Sequence, residues 1–204
     1  MDTHKPNFRI AFAGSSGTGK TTLAEWAAET FDLLFNPVGS RTVAKAMGFD
    51  NPYDVDAMPG KRAEFQRRLV TDKRAWEDEH PNFITDRTTL DNLAYTMLHD
   101  VYAVDEELLV SITGGLERYT HIVFLPMSSF FTLSGDKNRV GGGKYGKPGD
   151  NTYHKLYEIT LRSLVENFRP PGVELITMTA GGMTARHARM EELLNPPPPV
   201  PHLP

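Results

Sequence analysis

The chain has 204 residues, no cysteine and a net charge of −4, with 39% hydrophobic and 24% charged residues. That length suits one domain with a full core, and the missing cysteines exclude disulfides and thiolate metal sites. The acidic balance excludes a broad basic face that would coat nucleic acid, though not a local basic contact.

From Met1 to Pro6 the chain is polar, without the apolar segment of a signal peptide. Phe8 to Ala13 reads as a short apolar strand, and Thr22 to Glu29 as a helix of good formers. Leu33 to Val38 is the expected second strand, Gly39 to Arg41 a loop, and Val43 to Met47 a short helix. Gly48 to Gly60 is turn-rich. Lys61 to Glu79 carries Phe65, Leu69 and Trp76 at helical spacing and predicts a long amphipathic helix that Pro81 stops.

Phe83 to Thr85 predicts a third strand ending at Asp86-Arg87, followed by helices over Leu90 to His99 and Asp105 to Ile112. His121 to Leu125 is the fourth strand, and Ser134 to Asp150 is rich in Gly and Lys with no periodicity. Thr152 to Phe168 reads as a helix, Val173 to Met178 as the fifth strand and Met183 to Leu194 as the last helix. Residues 195–204 form a proline-rich tail that favours polyproline II outside the core. Strands alternating with helices predict an α/β fold, a three-layer sandwich around a five-stranded parallel sheet, with ligands at the carboxyl ends of the strands. The domain spans residues 1–194, with a Gly/Lys-rich lid at about 134–150. The seven histidines form no H-x-x-x-H pair in a helical setting, so no transition-metal site is expected. No apolar run approaches the about 20 residues of a membrane span, and a cytoplasmic protein without membrane contact is the expectation.

Chemistry concentrates first at Gly14-Ser15-Ser16-Gly17-Thr18-Gly19-Lys20-Thr21, which fits G-x-x-x-x-G-K-[ST] at every fixed position between a strand and a helix. Glycines let successive N–H groups turn inward as an anion nest, and the helix N-terminus adds partial positive charge. Lys20 would reach the β- and γ-phosphates and the Thr21 hydroxyl would ligand Mg²⁺, with Thr22 completing the cradle. The pattern implies that the chain binds a nucleoside triphosphate together with Mg²⁺. Asp86 and Arg87 end strand three and so sit beside that loop. An acid there can hold Mg²⁺ or accept a proton, and the arginine can neutralise charge on a transferring phosphoryl group.

The loop together with Ile84-Thr85-Asp86-Arg87-Thr88-Thr89-Leu90-Asp91-Asn92-Leu93-Ala94-Tyr95 resembles the P-loop small-molecule kinases. Among these it looks like the AAA-type ATPase domain of nicotinamide-riboside-kinase kind, with similarity of organisation to deoxynucleoside and thymidylate kinases. The resemblance extends over about residues 8–194 and places Asp86 and Arg87 in the active site. It implies an ATP-dependent phosphotransferase acting on a nucleoside, nucleotide or related small molecule, with a homodimer as its expected assembly. Members often carry E-x-x-R after strand two; Arg41 matches the arginine, but Val38 stands where the acid would be. The base role then falls to Asp86, or to Asp50, Asp54 or Asp56 in the following loop.

By the same resemblance, Phe65-Gln66 presents an amide and an aromatic to the acceptor's base; a glutamine amide offers one acceptor and two donors. Phe65 core and Gln66 solvated is the competing interpretation. Asp136 and Arg139 match a D-G-x-R lid pattern, making Arg139 a second charge stabiliser after Lys20. Lys144, Tyr145 and Lys147 on glycine-rich chain would clamp a phosphorylated or polymeric acceptor. Arg186, opening the last helix, would lie on the adenine side. A second functional reading makes the acceptor a hydroxymethylated pyrimidine within DNA, as in phage DNA hypermodification. A third is a nucleotide-switched regulatory NTPase whose proline tail recruits a partner.

Overall fold

The computed structural model describes residues 7–58, 60–127, 152–179 and 181–195. Among these, five parallel strands build the sheet: β1 (Arg9–Ala13), β2 (Leu34–Phe35), β3 (Phe83–Asp86), β4 (His121–Phe124) and β5 (Glu174–Thr177), in the order β2-β3-β1-β4-β5. The α-helices that connect and cover them are α1 (Lys20–Phe31), α2 (Ser40–Ala46), α3 (Lys61–Glu79), α4 (Thr89–His99), α5 (Glu106–Thr113), α6 (Thr152–Phe168) and α7 (Met183–Leu194). This is the expected α/β three-layer sandwich. The segment expected as a lid, with Arg139, Lys144 and Lys147, lies outside the described residues, as does the tail from residue 196.

The central strand β1 is apolar and fully buried from Ile10 to Ala13, because a parallel strand is covered on both faces. Its alternation assigns the layers. Ile10 and Phe12 join Leu23, Ala24, Ala27, Met190 and Leu194 of α1 and α7 on one side. Ala11 and Ala13 face the opposite core, built with Val70, Leu90, Leu93, Leu108 and Leu161 of α3 to α6. The alanines at 24, 27 and 28 keep α1 close to the sheet, which brings its N-terminus to the carboxyl end of β1. Burying Leu23 or Ile10 completely stabilises by roughly 1.5–3 kcal/mol each.

Some boundaries differ from the sequence expectation. β2 covers only Leu34–Phe35, because Asn36 turns its side chain back to accept from Val38 N (2.9 Å) and Pro37 has no N–H for a ladder. The stretch Gly39 to Arg41, expected as a loop, instead starts α2, with Gly39 in the extended N-cap position and Arg41 in the first turn. Asp105 caps α5 through Leu108 N (2.9 Å) and does not belong to the helix itself. At α4, Thr88 and Asp91 form a reciprocal capping box, worth about 1 kcal/mol. That box fixes where the chain turns after β3.

Candidate phosphate-binding and catalytic site

The loop between β1 and α1 has the backbone that its glycines permit. Gly14, Gly17 and Gly19 all have positive φ (139°, 81° and 85°). At Gly14 a Cβ would stand 2.4 Å from the Leu125 carbonyl oxygen at the end of β4, so the loop can pass there only without a side chain. Gly14→Ala is therefore expected to displace the loop and weaken ATP binding by at least about tenfold, within the losses that misplacing a site by an ångström produces, read by titration calorimetry. Gly19 is the N-cap of α1, whose own first turn carries no acidic residue, so the helix keeps its N-terminal partial positive charge facing the loop.

The loop is also braced from outside. Lys20 is buried, and its Nζ donates to the Ser15 carbonyl (2.6 Å) and to Thr18 Oγ1 (3.4 Å). Thr18 Oγ1 donates to the same carbonyl (2.9 Å). Arg186 of α7, fully buried, donates to Thr18 O (2.5 Å), so it holds the loop backbone. On the other side, Ser15 Oγ and His154 Nδ1 of α6 are hydrogen-bonded at 2.9 Å, both buried. Ser16 Oγ meets the Tyr95 hydroxyl of α4 at 3.2 Å. Thr22 is exposed in the first turn of α1.

Thr21 and Asp86 meet across the mouth of the sheet. Thr21 Oγ1 donates to Asp86 Oδ2 at 2.6 Å, while Asp86 Oδ1 is buried without a hydrogen-bond partner among the described residues. An orphaned carboxylate oxygen beside a hydroxyl is a hard-oxygen donor set that fits Mg²⁺. Burial would raise the Asp86 pKa, but the Lys20 and Arg87 charges and the Thr21 hydroxyl outweigh it and hold the carboxyl below its ordinary value. Asp86 is thus a carboxylate throughout the neutral range, suited to holding a cation and poorly suited to taking up a proton.

Arg87 has φ 83°, one of two non-glycine residues with positive φ among those described. A long side chain in that region costs of order 1–3 kcal/mol, and such residues cluster at functional sites. The strain aims the guanidinium at the loop: Nη2 donates to Ser16 Oγ (3.3 Å), and Nη1 to Asp91 Oδ1 (3.3 Å) and the Tyr157 hydroxyl (3.1 Å). Its Cζ lies 5.0 Å from the Tyr95 ring centroid, a cation–π contact. Burial opposes the charge, but Tyr95, Tyr157, Asp91 and Asp86 overcome it and raise the pKa well above the ordinary arginine value. Asp91 is the hub: fully buried, it accepts from Thr88 N (2.9 Å), Thr88 Oγ1 (2.8 Å), Arg87 and the Tyr157 hydroxyl (2.8 Å).

Behind this mouth, α3 contributes the buried polar side chains Gln66, Lys73 and Glu77. Gln66 accepts through Oε1 from Asn92 Nδ2 of α4 (3.0 Å), pairing two carboxamides. Lys73 donates to Thr85 Oγ1 and to the Asp86 carbonyl (3.4 Å). Phe65 packs in a small apolar cluster with Val43, Ala44, Val55 and Leu69, so its ring joins α2 to α3. Gln66 is buried, not solvated as the competing interpretation had it. Arg41 is exposed on α2.

The structure thus brings together Lys20, Thr21, Asp86 and Arg87 around the glycine loop and puts Arg186 beneath it. Sequence reasoning missed His154, Tyr157, Asn92 and Lys73. His154 is separated from Ser15 by 139 positions, with no local pattern to mark it. Asn92 lay inside the segment that carried the resemblance and could have been found there. Among the described residues no group of His, Asp and Glu forms a further metal cluster, and no helix is long and apolar enough to cross a membrane.

A phosphate-binding loop on a five-stranded parallel sheet, facing an acid and an arginine at the end of the neighbouring strand, defines a P-loop nucleotide-binding domain. The chain belongs to the AAA domain family, whose profile matches residues 9–163. No curated protein matches it in sequence. In structure it is similar to deoxyadenosine kinase from M. mycoides, with a TM-score of 0.60 and 14% identity over 91% of this chain and 98% of that one. It is also similar to NadR in complex with NAD and AMP-PNP, with a TM-score of 0.62 and 16% identity over 90% of this chain, which spans 48% of the NadR chain. Thymidylate kinase from Candida albicans gives a TM-score of 0.55 and 15% identity, with 91% of this chain and 89% of that one covered. These likenesses establish the fold, that of the P-loop small-molecule kinases.

Proposed function

We propose that this protein is an ATP- and Mg²⁺-dependent phosphotransferase that moves the γ-phosphate to a nucleoside, nucleotide or related small molecule. The observation that carries the reading is the Thr21–Asp86 pair with its orphaned Oδ1, placed between the glycine loop and a strained Arg87. Loop amides and Lys20 hold the donor phosphates. Thr21 and Asp86 would hold Mg²⁺, which when bound neutralises charge on the phosphates. Arg87, already aimed at Ser16, stabilises charge on the transferring group. Transfer through a loose transition state depends on placement and electrostatics, so the ionised Asp86 need not act as a base.

The Gln66–Asn92 pair supports a nucleobase-like acceptor, since two buried carboxamides can exchange their mutual bond for bonds to a heterocycle's edge. Arg41 on α2 belongs to the same side of the proposal, with Phe65, a core residue, fixing α2 against α3, and Arg139, Lys144 and Lys147 complete it as lid residues. The test offers γ-labelled ATP and Mg²⁺ with nucleosides, nucleoside monophosphates, nicotinamide riboside, and DNA with or without hydroxymethylated pyrimidines. Label on a small molecule is the expected result. Label on DNA alone would replace the acceptor class, and tight ATP binding without transfer to any acceptor would overturn the reading.

A further inference from the structure

Lys73 is a buried ammonium on α3, set behind the mouth of the site. Its Nζ donates to Thr85 Oγ1 and to the Asp86 carbonyl (3.4 Å), and pairs at 3.7 Å with the Glu77 carboxylate one turn along the helix. Removing a lysine from water is costly, and a plain ion pair with Glu77 explains only one of those contacts. The Asp86 carbonyl is the informative one, because it belongs to the peptide plane entering Arg87.

That plane is gripped at both ends. Its N–H, on Arg87, donates to the Phe12 carbonyl of β1 at 2.8 Å, and its carbonyl accepts from Lys73. The next plane is held as well, since Thr88 N donates to Asp91 Oδ2 at 2.9 Å. With both planes fixed, the torsions at the Arg87 Cα are determined, and φ settles at 83°. Released from the Lys73 side, the Asp86–Arg87 peptide could rotate towards an ordinary negative φ, and the guanidinium would swing away from Ser16.

We propose that Lys73 is a positioning residue for phosphoryl transfer, which clamps the Asp86–Arg87 peptide so that Arg87 takes its left-handed conformation and faces the phosphate loop. Glu77 serves this arrangement as the carboxylate companion of the lysine, itself held by the Tyr119 hydroxyl (3.1 Å). The catalytic half of this inference rests on the proposed function; the backbone half does not.

The experiment is a thermal-stability cycle in the full chain. Lys73→Met is introduced into an E77Q background, so that no uncompensated carboxylate remains beside it, with either Arg87 or Arg87→Gly. Glycine adopts φ 83° freely and has no strain to release, whereas with Arg87 the freed peptide relaxes and offsets part of the lost contacts. The fall in Tm caused by K73M should therefore be clearly larger when residue 87 is glycine. If K73M/E77Q folds only with Arg87 although E77Q/R87G folds, the same conclusion follows. An equal or smaller fall with glycine overturns the clamp, as does failure of K73M/E77Q to fold in both. With an acceptor in hand, K73M/E77Q should lower kcat by roughly 10–100-fold relative to E77Q, with KM for ATP little changed. An unchanged kcat would overturn the positioning role. A wild type that transfers no phosphate would remove the proposed function and still leave the Tm cycle to decide the clamp.

Discussion

Replacing Lys20 by methionine is expected to cut phosphoryl transfer by about 10²–10³-fold or more, the loss typical of removing one preorganised charge donor. Methionine keeps most of the stem that packs at this buried position, so the fold should survive. The ammonium donates to the Ser15 carbonyl at 2.6 Å and to Thr18 Oγ1. Those contacts lay the side chain along the loop, where the phosphate oxygens of a nucleotide would compete for its protons. The measurement is kcat for the variant beside its melting curve. A loss of about tenfold or less with an intact fold would show that the γ-phosphate is held by other groups.

Asp86→Asn is the second large effect. The amide has the size of the carboxylate, and its oxygen can still accept from Thr21, so the 2.6 Å contact at the mouth can persist. What disappears is the negative charge and the anionic oxygen now orphaned at Oδ1. Apparent Mg²⁺ affinity should fall by at least about tenfold, and the rate by about 10²-fold, on the scale of one lost electrostatic contact; titrating Mg²⁺ against rate measures both. The wild-type pH dependence carries the matching sign. Because the folded pKa of Asp86 is depressed, its charge-related stability is present above the unfolded value and lost only as pH falls through the lower folded pKa. The pH–rate profile should therefore show no step from Asp86 in the neutral range. Unchanged Mg²⁺ dependence in the variant would remove the metal role.

Much of this was legible because it is local. A glycine loop between an apolar strand and a helix is written in consecutive residues, and Asp86-Arg87 follows a strand whose place at the sheet mouth the fold class dictates. The short apolar run of β1 likewise fits a strand covered on both faces. What the sequence concealed is long-range. His154 on Ser15, Tyr157 on Asp91 and Arg186 on Thr18 join segments 66 to 168 positions apart, and no periodicity reveals such pairs. Helix starts differ from the sequence expectation where a side chain or glycine decides the cap, as at Gly39 and Asp105. The left-handed Arg87 was invisible too, because arginine gives no signal for positive φ; only the clamp around it explains the conformation.

The most direct measurement is a ³¹P NMR time course with the protein, Mg²⁺, ATP and the acceptor that takes label in the panel. A phosphotransferase should produce ADP and a new resonance for the phosphorylated acceptor (an ester on a hydroxyl, an anhydride on a phosphate) in equal amounts, with little inorganic phosphate. ADP accompanied only by inorganic phosphate, at a rate indifferent to the acceptor, would contradict phosphoryl transfer and make the protein a hydrolysing nucleotide switch.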